Sequence, residues 1–156
     1  MVATRSGDLN GAVMLGNIST AREVLADTGM RVTRQRAALT SLLFGNDGRH
    51  VSAEGLHAEL VQAGAPGSIS SVYRALKDFS EAGLIRRVPI YGTAAYFDTR
   101  LDHHHHFYAE GEDRLLDLPS DRIRLGELPS PPDGYELVRV DVLMRIRRKG
   151  GCRQVA

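Results

Sequence analysis

Apolar side chains recur three or four positions apart in three segments of the first half of the chain, residues 34–44, 53–61 and 68–82. This spacing is typical of amphipathic helices. Thr33 and Ser52 immediately precede the first two segments and have side chains suited to N-caps. Glycine-containing breaks separate the segments, so the pattern predicts three helices rather than one long helix.

A β-hairpin is predicted directly after the third helix. Residues 84–90 and 94–98 read as strands, and Gly92 lies between them at the turn. Pro89 cannot donate a ladder hydrogen bond, which restricts the first strand to an edge or a bulge. Three helices followed by a hairpin is the order of a winged helix-turn-helix, a DNA-binding domain, which we place at residues 18–99.

The first residues of the chain show no sustained hydrophobic repeat. Residues 1–17 mix glycine, serine, asparagine and small side chains, and we predict that they form a flexible arm. A short helix is predicted to begin after Ser19 or Thr20 and to end at Gly29. The predicted winged-helix domain therefore carries one additional helix at its start.

The second half of the chain changes character from about residue 100. Two short strands, a short helix and a long strand are predicted, at residues 103–108, 114–118, 120–128 and 135–147. In the last segment a wholly apolar face alternates with a mostly polar one. A unit of about 45 residues is too small to bury such a strand by itself. We therefore predict an α+β protein in which residues 100–149 form a small α/β dimerisation domain, followed by a tail at residues 150–156.

Composition narrows the class of protein. With 42% hydrophobic and 25% charged residues the chain resembles soluble globular proteins, and no segment approaches the roughly 20 apolar residues of a membrane span. We therefore expect a cytoplasmic protein. Cys152 is the single cysteine, which excludes an intrachain disulfide and a cysteine-based zinc site within one chain. Any metal chemistry must use histidine and carboxylate groups.

Candidate DNA contacts come from the third helix, the entrance to the first helix of the motif, and the hairpin. In a winged helix the polar face of the third helix enters the major groove, where side chains reach base edges, while other basic groups hold phosphates. The candidates are Ser70, Ser71, Tyr73, Arg74 and Lys77 on the helix, Arg31, Arg34 and Arg36 at the entrance, and Arg86 and Arg87 in the hairpin. A solvated amphipathic face is the alternative interpretation.

Four consecutive histidines, His103 to His106, are the most distinctive chemical feature of the sequence. Imidazole binds transition metals and haem iron. In a strand successive side chains point to opposite faces, so His103 and His105 serve one face and His104 and His106 the other. Two separate ligand sites are therefore possible, one facing the DNA-binding domain and one facing the dimer core.

Each of these sites needs ligands from outside the histidine run. His50 and Asp98 are the obvious candidates for the site that faces the DNA-binding domain. For the other site only acidic residues such as Glu110 or Asp141 can be named. A solvated histidine run without any ligand is the alternative interpretation.

Several motifs resemble the ferric uptake regulator (Fur) family in their order and spacing. They are Thr33-Arg34-Gln35-Arg36, His50-Val51-Ser52-Ala53-Glu54, Ser71-Val72-Tyr73-Arg74-Ala75-Leu76, Ala82-Gly83-Leu84 and Tyr96-Phe97-Asp98, followed by the histidine run. The resemblance covers residues 20–149. It implies a homodimer that binds a partly palindromic DNA operator.

The resemblance also implies roles for individual residues. Tyr73 and Arg74 match positions where the family reads bases. The family's regulatory metal site is matched by His50, Asp98 and His105, with Phe107 at the position of its fourth ligand, and part of its second site is matched by His104 and His106.

Two departures from the family pattern resemble its iron response regulator (Irr) branch. Glu110-Gly111-Glu112-Asp113 replaces the paired-cysteine zinc motif, and Phe107 replaces a metal ligand. In that branch His104, His105 and His106 match a haem-responsive triple histidine. The resemblance therefore implies a transcription regulator, such as a repressor, of iron and haem metabolism genes. Residues 1–30 contain no cysteine, so haem must use histidine.

Two other functions are compatible with the same residues. A divalent-metal sensor for Fe, Mn or Zn would use the same histidine and carboxylate ligands. A small enzyme could use two histidines and a carboxylate to hold iron. Nothing in the sequence supplies an enclosed substrate pocket or a second catalytic group, so we do not expect an enzyme.

Overall fold

The computed structural model describes residues 18–45, 48–91 and 95–149. Contacts divide the chain into two compact units, one ending at Leu101 and the other beginning at Asp102. The predicted arm, the turn glycine Gly92 and the predicted tail lie outside the described residues. Both units combine helical turns and sheets, which confirms the predicted α+β class. No helix in the described part of the chain is long and apolar enough to cross a membrane.

Four helices make up most of the first unit: α1 (Ile18–Asp27), α2 (Arg34–Phe44), α3 (Ala53–Gln62) and α4 (Ile69–Glu81). The predicted caps are confirmed, because Thr33 and Ser52 accept hydrogen bonds from the backbone N–H groups of Arg36 and Gly55. Each cap satisfies a donor that would otherwise have no partner at the helix start. The two helix starts are therefore fixed by local sequence.

The apolar faces of these helices share one core. Its fully buried members include Leu39, Leu43, Leu56, Leu60, Leu76 and Phe79. Full burial of such a side chain contributes about 1.5–3 kcal/mol, so the core fixes which face of each helix points outward. For α4 the outward face is the polar one.

A small antiparallel sheet completes the first unit, with strands β1 (His50–Ser52), β2 (Arg86–Val88) and β3 (Tyr96–Asp98) in the order β1-β3-β2. Strands β2 and β3 are the predicted hairpin; β2 is shorter than the predicted residues 84–90, and it is an edge strand, as expected from Pro89. Strand β1 was not predicted, because three residues are too few to show an alternating pattern. We call this sheet the wing sheet.

The second unit contains a three-stranded sheet in the order β5-β4-β6. The two predicted short strands are present as β4 (His104–Ala109) and β5 (Arg114–Pro119), and they pair as an antiparallel hairpin. Strand β6 (Leu143–Ile146) pairs in parallel with β4. His104, His105 and His106 of the histidine run therefore lie on the central strand of this sheet.

Two elements predicted for the second unit are shorter than expected. The helix predicted at residues 120–128 is wrong: only one 3₁₀ turn forms, Ser120–Arg122, and Leu125 and Leu128 stay exposed. A short helix without a packed apolar face has little to stabilise it. The strand predicted at residues 135–147 is limited to β6, since no described strand pairs with its first half.

Candidate functional site

The polar face of α4 is available to a ligand. Ser70, Tyr73, Arg74 and Lys77 are exposed. The opposite face, with Val72, Ala75, Leu76 and Phe79, is buried in the core. The helix therefore presents hydroxyl, phenol and cationic groups to the outside on a rigid support.

Both ends of α4 are fixed by hydrogen bonds. At the start, Ser68 and Ser71 form a capping box, and the Ser71 hydroxyl also accepts from Gln35 Nε2 at 2.5 Å. Ser71 is thus engaged in positioning α4. At the end, Gly83 adopts φ +71°, and the Leu84 N–H donates to the carbonyl of Phe79 at 2.9 Å.

Two predicted DNA contacts are held by acidic neighbours. The Tyr73 hydroxyl donates to Glu54 Oε1 at 2.5 Å. This hydrogen bond, with smaller contributions from desolvation and the Glu54 charge, raises the pKa of Tyr73 because each favours the protonated phenol. Arg36 forms an ion pair with Asp78 of α4 and donates to the carbonyl of Arg31 at 3.2 Å. Arg36 therefore fastens α2 to α4.

In the wing sheet His50, Asp98 and Arg86 occupy one row of the strand register. Asp98 is fully buried; its Oδ2 accepts from Arg86 Nη2 at 3.1 Å, and its Oδ1 accepts from the Arg100 backbone N–H at 2.8 Å. His50 Nε2 lies 3.8 Å from Asp98 Oδ1. Arg86 is therefore drawn to Asp98, whereas the neighbouring Arg87 is exposed. The predicted DNA-binding cations that remain exposed are Arg31, Arg34, Arg74, Lys77 and Arg87.

On the central strand of the second unit, His104 and His106 share a face with Asp117 of β5. Their ring centroids lie 4.7 Å apart, and His104 Nε2 is 3.4 Å from Asp117 Oδ1. The ligand atoms of the three residues all lie within 4.8 Å of one another. We call this group the histidine–aspartate cluster. Both histidines are buried, at 1% and 5% exposure.

Sequence reasoning missed Asp117 as a member of this cluster. The acidic residues proposed for this role are engaged elsewhere: Glu110 pairs with Arg145, and Asp141 with Arg139 at 2.6 Å. The signal was present, because a four-residue turn at residues 110–113 places residue 117 directly opposite His106. Register counting across the hairpin would have found it.

The other face of β4 carries His105, next to His103. Their rings meet edge to face at 5.0 Å, and His105 Nδ1 accepts the Val142 backbone N–H at 3.3 Å. Burial lowers the pKa of His105 because loss of water disfavours the imidazolium; His103 lowers it further, and Asp141 opposes the shift. The lowered pKa favours the neutral imidazole of His105 over the imidazolium. The predicted ligand set of His50, Asp98 and His105 draws on both units and stays a prediction.

The donors of the histidine–aspartate cluster suit a divalent transition metal. Two imidazoles and one carboxylate are ligands that Fe, Mn and Zn accept. The cluster does not suit haem held by two histidines, because two axial imidazoles lie on opposite sides of the porphyrin. The rings of His104 and His106 are instead buried neighbours on one strand face. Haem would require a single histidine ligand.

Comparison with known proteins decides the family. Residues 27–140 match the ferric uptake regulator family. The chain belongs to this family. A ferric uptake regulation protein of Synechococcus elongatus is 31% identical over 119 residues, which cover 73% of this chain and 80% of that protein. This is a family of regulators, not of enzymes, so the small iron enzyme is excluded.

Solved structures support the same family. The ferric uptake regulator of Pseudomonas aeruginosa with manganese superposes with a TM-score of 0.61 at 26% identity, covering 83% of this chain and 98% of that one. A zinc-bound manganese uptake regulator gives a TM-score of 0.63 at 26% identity with the same coverage. The chain also matches ferric uptake regulation proteins of two Vibrio species, but it spans only 56% of the length of each. The fold of the Fur family is therefore shared across both units.

Proposed function

We propose that this Fur-family chain is a DNA-binding transcription regulator that acts as a homodimer and responds to a divalent metal at the histidine–aspartate cluster. The observation that carries the proposal is the convergence of two buried imidazoles and one carboxylate within 4.8 Å. Related structures hold manganese or zinc, and the family is named for ferric uptake, so Mn, Zn and Fe are the candidate ions.

The DNA-binding surface is proposed to be the polar face of α4 together with nearby exposed cations. Tyr73 and Arg74 would read base edges in the major groove. Lys77, Arg31, Arg34 and Arg87 would hold phosphates, which contribute affinity rather than sequence discrimination. In this scheme Ser71 and Arg36 position α4, and Arg86 stabilises the wing sheet.

The homodimer is supported by uncovered apolar surface in the second unit. Phe107 faces Leu116 and Met144 in the strand register, and Met144 and Ile146 are each 38% exposed. Among the described residues of this unit no α-helix covers that face. Val138 is 85% exposed in a segment whose sequence predicts a strand. A second copy of the chain would bury these side chains.

Metal binding is tested by calorimetric titration of Mn²⁺ and Zn²⁺ into the full chain. His106→Ala removes a ligand and should weaken metal binding at least about tenfold, since mutating a residue that only orients a ligand already reduces metal affinity by about that factor. His57→Ala is the matched control, because His57 lies on α3 and contacts the carbonyl of Gly67. Equal affinities for wild type and His106→Ala would contradict the proposal.

A second candidate is an Irr-type response to haem. It is favoured by the four histidines in a chain that has an acidic turn in place of the paired cysteines. One exposed imidazole, such as His103, could provide a single axial ligand. Haem titration should then give a histidine-ligated Soret band that the variant His103→Ala loses. An unchanged spectrum would remove this candidate.

A further inference from the structure

The buried carboxylate of Asp98 is already neutralised within the first unit. Resemblance to the family makes Asp98 a metal ligand, yet both of its oxygens accept hydrogen bonds from protein donors. Arg86 Nη2 lies 3.1 Å from Oδ2, and the Arg100 backbone N–H lies 2.8 Å from Oδ1. Asp98 is 0% exposed, so these donors lie at a site that water does not reach.

The strand register explains how this ion pair arises. Asp98 lies on the middle strand of the wing sheet, directly opposite Arg86 on one side and His50 on the other. Directly opposed residues on neighbouring strands share a face, so the guanidinium is delivered to the carboxylate by backbone pairing alone. A buried carboxylate is costly unless it is paired with a positive charge and hydrogen bonds. Arg86, whose side chain is only 18% exposed, supplies both.

We propose that Arg86 is a built-in cation that takes the place of a metal ion at Asp98, and that Asp98 is consequently not a metal ligand in this chain. Arginine keeps its charge at every physiological pH, so the pair does not depend on metal supply. The wing sheet is then held in one conformation with or without metal, and metal specificity belongs to the second unit. This last consequence rests on the proposed function; the ion pair does not.

The first test uses metal-free full-length protein and thermal unfolding. Arg86→Gln should lower the melting temperature, whereas Arg87→Gln, an exposed neighbour on the same strand, should leave it unchanged. Arg86→Lys should recover part of the loss. Adding Asp98→Asn to Arg86→Gln should also recover stability, because the buried charge is removed. Equal melting temperatures for the Arg86→Gln and Arg87→Gln variants would overturn the inference.

The second test measures Mn²⁺ affinity and stoichiometry by calorimetry. Asp98→Asn should keep the wild-type stoichiometry and a dissociation constant within about twofold, whereas Asp117→Asn should weaken binding at least about tenfold. A tenfold loss in Asp98→Asn would show that Asp98 is a ligand and would overturn the inference. If the wild type bound no metal, the proposed function would fail, and the unfolding experiment would still decide the role of Arg86.

Discussion

The two units bury their apolar surface in different ways. The first unit closes a core of its own, in which Leu39, Leu76 and Phe79 are fully buried. The second unit leaves Met144 and Ile146, on its strand β6, more than a third exposed. Under the proposed function, the first unit is complete in itself as the DNA-reading part, whereas a second copy of the chain completes the second unit.

Both units contain arginine ion pairs, but the second also groups two histidines with a carboxylate within its own sheet. In the first unit, Arg49 makes a bidentate pair with Glu59 at 2.6 and 3.0 Å, and Arg86 pairs with Asp98. Arginine cannot give up its proton, so these pairs are permanent. The second unit places His104 beside Asp117, and a histidine can lose its proton and bind a metal instead. Under the proposed function, arginine pairs support the DNA-reading surface, and groups that can exchange a proton for a metal form the sensing site.

The largest effect is expected from a cavity in the closed core. Phe79→Ala removes a fully buried ring and should lower the free energy of unfolding by about 3–5 kcal/mol. Ser70→Ala, on the exposed face of the same helix, should change it by less than about 0.5 kcal/mol. Chemical denaturation measures both. A small loss in Phe79→Ala would mean that the first unit is not held by its own core.

The next effect is expected at the exposed apolar side chains of strand β6. Ile146→Glu should weaken the dimer by about 2–4 kcal/mol, because a charge is placed in an apolar contact. Arg147→Ala, at the adjacent exposed position, should leave the dimer unchanged. Sedimentation at several concentrations measures the dissociation constant. A monomeric wild type, or an Ile146→Glu dimer of unchanged affinity, would contradict the claim that a second copy of the chain buries the apolar side chains of the second unit.

A smaller effect, confined to DNA, is expected on the first unit. Arg74→Ala should reduce discrimination between operator and unrelated DNA by about 1–3 kcal/mol and leave dimerisation intact. Arg87→Ala should weaken binding to all sequences and flatten the salt dependence, as for a phosphate contact. Competition binding at two salt concentrations separates the two behaviours. Identical behaviour of the variants would refute the assignment of reading helix and wing.

The sequence predicted the elements whose signals are local. Thr33 and Ser52 predict the starts of α2 and α3 because a capping residue is adjacent in sequence to the helix that it caps. The hairpin is local for the same reason. A local signal can still be ambiguous, because a serine near a helix start can cap the helix or contact DNA. Ser71 was predicted to contact DNA, and its side chain forms part of the capping box of α4.

The features that could not be predicted depend on partners distant in sequence. Strand β1 exists because β3 offers it a partner. Asp117 is different: it was missed, although counting the register across the β4–β5 hairpin would have placed it opposite His106. The helix predicted at residues 120–128 does not form, because a local pattern is not enough when its apolar side chains have no core to pack against. Val138, which lies in the predicted strand, pairs with no strand among the described residues.

The most direct test of metal response is operator affinity, measured by fluorescence anisotropy for wild type and Asp117→Asn with and without Mn²⁺. Wild-type affinity should change by about fivefold to 150-fold on metal addition, the usual range of coupling between two sites. Asp117→Asn should match the metal-free wild type and not respond to Mn²⁺. An equal response in both proteins, or none in the wild type, would contradict a sensing role for the histidine–aspartate cluster.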